Sequence, residues 1–321
     1  MRLGVMNPVF GGYTFEEALK FLQGHDVHEM EIGAGGYPGN HHLDPEALLK
    51  SPEKIKEWKA LMEQYDVSIS AIACHGNPLH PDKETGDRFD RDFKNAILAC
   101  EALEVQTIVG FAGCPGDCQE SKRPNWVTCP WPEDFTEILK WQWEERVIPY
   151  WEKTSAFAKA HGVERIAFEM HPGFVVYNPE TCLRLRSAVG DCIGANVDPS
   201  HLFWQGIDPV EAIKALQGAI YHFHAKDTKI DDRNTSVNGV LDIKNYGDIL
   251  GRSWIFRTVG YGHGRQVWKH IISALKAVGY DGSVSIEHED ALMSPEEGLE
   301  KAIAFLKDVL ITKTAGEMWW A

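Results

Sequence analysis

Short β-branched runs alternate with long amphipathic stretches along the whole chain, and that alternation restricts the fold to repeated βα units around a parallel sheet. Eight runs read as strands: Leu3–Asn7, His28–Gly33, Ser68–His75, Thr107–Ala112, Arg165–His171, Ile193–Asp198, Ile220–Lys226 and Ser283–His288. Between them, Phe15–Leu22 follows a Thr14 cap and Pro52–Tyr65 begins after Ser51. Phe89–Leu103, Glu144–His161 and Pro295–Leu310 carry apolar residues at helical spacing. Gly162, Gly190 and Gly279 stand just past helical runs, where a left-handed cap favours glycine. Eight such units close into a (β/α)8 barrel, and 321 residues suit that fold. No Pro/Gly/Ser-rich linker interrupts the pattern. Residues 1–321 are therefore expected to form a single TIM barrel domain, with a C-terminal tail over 311–321.

Two connections are too long for simple turns. Gly113–Glu133, after strand four, contains Pro115, Pro124, Pro130 and Pro132 with Trp126 and Trp131; Asp227–His263 follows strand seven. Both leave C-terminal strand ends, where barrel active sites are built, so they are expected to act as lids or subunit contacts. Trp126, Trp131 and Trp254 are the rings they would present. An oligomer is expected, with room for a second subunit, and the terminal Met318–Trp319–Trp320 is a further patch in search of cover.

The net charge of -15 repels phosphate backbones and weighs against a nucleic-acid partner. No run reaches transmembrane length and the first residues lack a signal-peptide pattern, so no membrane is expected and the location is expected to be cytoplasmic. Seven scattered cysteines read as reduced thiols. Cys114, Cys118 and Cys129 lack the second close pair or the histidine that a zinc site needs.

The chemistry lies at the strand ends. Strand five ends Phe168-Glu169-Met170-His171, strand six Val197-Asp198-Pro199-Ser200-His201, strand seven His222-Phe223-His224-Ala225-Lys226-Asp227 and strand eight Ile286-Glu287-His288-Glu289. Three carboxylates and an imidazole converging in a barrel mouth need a compensating cation, because isolated buried charges are costly. Glu169, Asp198, His224 and Glu287 are accordingly the expected ligands of one divalent metal. The oxygen-rich set puts Mn²⁺ first, ahead of Mg²⁺, Co²⁺ and Zn²⁺.

The run Glu169, Asp198-Pro-Ser-His201, His224-Ala-Lys-Asp227, Ile286-Glu287 resembles the xylose isomerase-like superfamily of sugar isomerases and epimerases across essentially the whole chain. The resemblance implies that the four residues hold the metal. It also implies, from the ketose 3-epimerase branch, that Glu169 and Glu287 exchange protons with the substrate. It further implies that His201 contacts a substrate oxygen, as does Arg257 before Gly260-Tyr-Gly262. His75, His171 and Lys226 are added as substrate contacts from their places at strand ends, His171 and Lys226 by period two from ligands. Glu31 and Asn7 are weaker candidates for sugar hydroxyls. Packing is the commoner fate of Phe203 and Trp204, His222 fills the barrel one layer below His224, and His263 reads as a solvated loop residue.

The expected activity is a metal-dependent sugar isomerase or epimerase that abstracts a proton alpha to a carbonyl through an enediolate. The alternative is a lyase on an oxidised sugar, an inosose-type dehydratase or a 3-keto-glycoside deglycosidase, which shares the first step. An endonuclease IV-type nuclease needs further ligands where Trp254-Ile255-Phe256 stands, and the charge opposes it.

Overall fold

The computed structural model describes residues 1–320. In chain order its strands are β1 Arg2–Met6, β2 Glu29–Gly33, β3 Ser68–Ala73, β4 Thr107–Gly110, β5 Arg165–Glu169, β6 Ile193–Val197, β7 Ile220–Ala225, β8 Asp227–Ile230, β9 Trp254–Arg257 and β10 Ser283–Ile286. The helices are α1 Phe15–Gly24, α2 Pro45–Leu49, α3 Pro52–Gln64, α4 Lys83–Leu103, α5 Asp134–Trp141 and α6 Ile148–Ala160. They continue with α7 Pro179–Val189, α8 Pro199–Trp204, α9 Pro209–Ala215, α10 Asp232–Asn238, α11 Arg265–Ala277 and α12 Pro295–Val309. Among the described residues no helix is long and apolar enough to cross a membrane.

Eight strands pair in parallel and close in the order β1-β10-β7-β6-β5-β4-β3-β2, the barrel that the alternation predicts. β2 ends at its expected limit, and the other seven end one or two residues before theirs, because the last residues leave the ladder to form the mouth. Alternation along the strands sorts their side chains. Ile166 and Phe168 of β5, with Phe223 and Ala225 of β7, join the apolar layer between sheet and helices. Ala71, Ala73, Val109, Ala167 and Met6 form a small apolar plug inside the barrel. Glu31, Asn196, His222, His224 and Ser285 are also buried. That load of polar groups differs from the branched aliphatic filling usual in such barrels.

Six helices begin with a cap followed by proline: Asp44-Pro45, Ser51-Pro52, Asn178-Pro179, Asp198-Pro199, Asp208-Pro209 and Ser294-Pro295. In each the cap side chain accepts a backbone N–H while proline occupies a position that has none to offer, a pairing worth about 1 kcal/mol at each cap. The cap-proline signal marks α2, α7, α8 and α9, which periodicity alone did not.

The segment Gly113–Glu133 carries no helix or strand. Gln142, in a wide π-helical turn between α5 and α6, donates Nε2 to the carbonyls of Gly116 at 2.9 Å and Asn125 at 2.6 Å and so ties the segment to the helix layer. The connection after β7 folds as an antiparallel hairpin, β8 on β9, with α10 between them. Asp227 anchors it. Its carboxylate accepts from the backbones of Gly260, Gly262 and His263 at 2.9–3.2 Å, from Trp268 Nε1 at 3.1 Å and from His263 Nδ1 at 2.8 Å. Gly262 lies so close to the Thr228 carbonyl that a Cβ there would collide with it, and Gly260 has φ +91°.

Candidate metal centre

Glu169 closes β5, Asp198 follows β6 as the cap of α8, His224 points inward from β7, and Glu287 follows β10. One donor atom from each of the four lies within 4.8 Å of the others. Parallel strands with aligned register bring them to one depth at the C-terminal end of the barrel. Asp198 divides its oxygens, with Oδ1 accepting from Ser200 N at 2.8 Å to cap α8 and Oδ2 left towards the cluster.

Asp198 Oδ2, Glu287 Oε2 and His224 Nδ1 are buried and have no hydrogen-bond partner. Their neighbours are nonetheless near: His224 Nδ1 is 3.0 Å from Glu287 Oε2, and Lys226 Nζ is 3.1 Å from Asp198 Oδ2 and 2.8 Å from Glu287 Oε2. Short distances without hydrogen-bond alignment mean that the lone pairs converge on a shared point and not on one another. Burial pushes the Asp198 carboxyl up to about 7, with Lys226 opposing and Glu169 and Glu287 adding to the rise. Three carboxylates face one ammonium, so charge and unpartnered donors both fit a hard divalent cation.

Glu31 is the residue whose role differs most from expectation. It offers nothing to a sugar hydroxyl. Its carboxylate is wholly buried and accepts from His222 Nε2 at 2.8 Å, His224 Nε2 at 2.9 Å and Ser285 Oγ at 2.8 Å. Because Nε2 of His224 carries the hydrogen in that bond, a ring that gives up its second proton to a metal would offer the lone pair of Nδ1, which faces the cluster. The acid's short alternation with Met30 and Ile32 placed it inside the barrel, but the sequence offered no sign of its partners, 191 and 193 residues away. Asn7 is likewise structural, accepting from Gly33 N at 2.7 Å and sharing a hydrogen bond with His42 Nδ1.

A cavity of about 440 Å³ opens above the cluster, lined in part by His75, Glu169, His171, Lys226, Glu287 and Phe111. His75, His171 and Lys226 therefore reach the expected place. Of these, His75 Nε2 donates to Glu169 Oε2 at 3.0 Å and His171 packs edge-on to Phe111. His201 lies beneath the floor, fully buried, with Nε2 donating to Glu169 Oε1 at 2.9 Å. Burial, with His171 and Lys226 nearby, pushes its imidazole down to about 3 and keeps it neutral. Burial raises the Glu169 carboxyl, but the surrounding imidazoles of His201, His224 and His75 outweigh it and leave the group well below the usual carboxylate range. The same contest at Glu287 ends at about 2, through Lys226 and His224.

Arg257 does not line this cavity; its Nε donates to Asp290 Oδ2 at 3.0 Å. Trp254 stacks on Trp204, with ring centroids 4.6 Å apart, and is buried, so it presents no face to a ligand. Phe203 stacks on His263, which is held by Asp227 and is not a solvated loop residue. No residue of Gly113–Glu133 reaches the metal cavity: Trp126 packs edge-on to Tyr177 and Trp131 points to solvent. Glu289, which accepts from Lys226 Nζ at 3.2 Å, was not singled out from sequence, although it shares the strand face of Glu287. Among the described residues the groups able to hold a metal are this cluster and Glu31-His222-His224; the three loop cysteines form none.

A family model described as xylose isomerase-like TIM barrel matches residues 26–309. The uncharacterised protein YfiH of Bacillus subtilis is 39% identical over 312 residues, 97% of this chain and 99% of that one. Among solved structures, the IOLI protein with a bound zinc atom superposes with a TM-score of 0.66 at 18% identity, covering 97% of this chain and 98% of the other. A D-tagatose 3-epimerase-like protein gives 0.63 at 20% identity, covering 96% and 98%.

Proposed function

The chain belongs to the xylose isomerase-like TIM barrel family, and from that premise we propose a divalent-metal-dependent enzyme that moves a proton next to the carbonyl of a sugar or sugar derivative, with isomerisation or epimerisation as the outcome. The observation that carries this reading is the convergence of Glu169, Asp198, His224 and Glu287, three of them with a buried donor atom that has no hydrogen-bond partner. The zinc in the IOLI protein and the epimerase likeness agree with it.

Bound by those four residues, a divalent cation would polarise a carbonyl and its neighbouring hydroxyl and so acidify the adjacent C–H. The chain supplies the rest. Glu169 and Glu287 face one cavity from different strands, with His224 Nδ1 between them at 3.2 and 3.0 Å. Both carboxylates are held ionised, so either can accept a proton from carbon while the other returns one. Glu287 is the more accessible, its side chain 17% exposed against 3% for Glu169. Lys226 neutralises charge beside Asp198 and Glu287 and can donate to a substrate oxygen, since it lines the cavity. His75 and His171 stand at the rim as further hydrogen-bonding groups.

The test is exchange of substrate C–H for deuterium in D₂O with Mn²⁺-loaded protein, across free ketoses, inososes and 3-keto-glycosides. Exchange that depends on metal and disappears after chelation is the expected result; exchange of equal rate in metal-free protein overturns the proposal. One observation favours the lyase outcome as a second reading: the metal cavity adjoins another chamber that leaves room for a departing group. Product analysis in the same assay separates elimination from epimerisation.

A further inference from the structure

The second chamber, about 450 Å³, shares His288, Glu289 and Pro295 with the metal cavity. The two differ in character. The first is lined by three glutamates, the lysine and three histidines, whereas the second is walled by Tyr246, Ile255, Phe256, Ala291 and Met293. Of the acids on its wall, Asp290 is engaged through both oxygens and Glu289 through one. Asp290 accepts from Arg257 Nε and from the backbones of Thr258 and Leu292, and Glu289 accepts from Lys226.

Phe256 stands between the chambers. Its ring lies 4.8 Å from Lys226 Nζ and meets His201 edge-on at 5.4 Å, while Tyr246 lies nearly parallel to it at 5.9 Å and 17°. Tyr246 is 58% exposed despite that contact, so an aromatic face remains open to water beside the mouth. His288, on the shared wall, is pressed against α12 where Gly298 leaves no room for a Cβ, which fixes the partition between the chambers. A free hexose fills only a small part of such a space, whereas the two chambers together reach the upper part of the roughly 300–1,000 Å³ span of small-molecule sites.

We propose that this second chamber is a subsite for a flat apolar substituent, an aromatic ring joined to the sugar whose carbonyl end occupies the metal cavity. The proposal rests on the reading that a sugar carbonyl binds at the cluster. Tyr246 and Phe256 supply the stacking surface, and Ile255, Ala291 and Met293 the apolar floor. Tyr246, Ile255 and Phe256 all come from the connection after β7, so the insertion sets substrate class and leaves the reacting groups untouched.

Isothermal titration of Mn²⁺-loaded protein with the methyl and the 4-nitrophenyl 3-oxo-β-D-glucopyranosides tests it. The 4-nitrophenyl compound should bind at least about tenfold more tightly. Ala291→Trp, in an exposed turn away from the cluster, should fill the chamber and remove that preference while leaving the methyl compound and Mn²⁺ affinity unchanged. Tyr246→Ala should reduce the preference by a smaller factor. Equal affinities for the two compounds, a preference that survives Ala291→Trp, or binding of neither overturns the proposal. If the preference holds but no sugar exchanges deuterium, the proton-transfer reading fails and the subsite stands.

Discussion

Glu31 shows how a side chain that touches no substrate can set the properties of one that does. Its three hydrogen bonds hold the His224 ring in one tautomer with Nδ1 towards the cluster. Glu31→Gln keeps the shape and removes the charge, and carboxylates behind a ligating imidazole typically contribute about 10–100-fold to metal affinity. Titration of the chelated protein with Mn²⁺ should show a loss of that order; an unchanged dissociation constant would remove Glu31 from the metal site. Glu169→Gln and Glu287→Gln delete a metal oxygen and a proton carrier together. Each should lower deuterium exchange by at least about 10²-fold at saturating metal, and wild-type exchange in either variant would withdraw its role as an acid–base group.

The hairpin of β8 and β9 depends on one carboxylate. Asp227 satisfies three backbone N–H groups, an imidazole and an indole, and its own burial is complete. Asp227→Ala strands those donors in the interior, at a cost of about 3–5 kcal/mol. Urea denaturation should show a lower midpoint with an unchanged slope. If the midpoint stays, the loop holds itself by other contacts. The connection after β4 behaves differently, tied to the helix layer through Gln142 and remote from the metal cavity. Removing Cys118–Thr128 should therefore leave deuterium exchange intact, and loss of exchange with metal binding retained would show that it acts at the mouth after all.

The folded chain as a unit should respond to its cation, because the four ligands converge only once the barrel has closed. Protein dialysed against a chelator should melt at a lower temperature than protein with excess Mn²⁺; a hundredfold excess over the dissociation constant corresponds to about 2.7 kcal/mol. Identical melting with and without metal, at equal ionic strength, would count against the site. Thiol chemistry offers an independent check on the packing. Cys118 and Cys129 are exposed while the other five cysteines are buried, and burial pushes the Cys114 and Cys182 thiols up to about 12. A thiol reagent should modify two groups rapidly and the remainder only on unfolding; fast reaction of more than two would contradict the packing.

The period-two and helical patterns, with the acids and imidazole after strands five to eight in the sequence order, were sufficient to specify a closed barrel and its four candidate ligands, because both are local properties of each βα unit. Helices α2, α7, α8 and α9 were passed over by a reading that followed apolar periodicity, although each starts at a cap-proline pair. Direction along a strand was legible too, which is why His75, His171 and Lys226 reach the cavity. Partner choice was not. Arg257 could serve a substrate or Asp290, and Trp254 a ligand or Trp204, with the same local sequence. Glu31 could face a hydroxyl or two histidines nearly two hundred residues away. Those outcomes are decided by which groups the closed barrel and its hairpin bring within hydrogen-bond or packing distance, since a buried charge or ring takes the nearest partner that satisfies it.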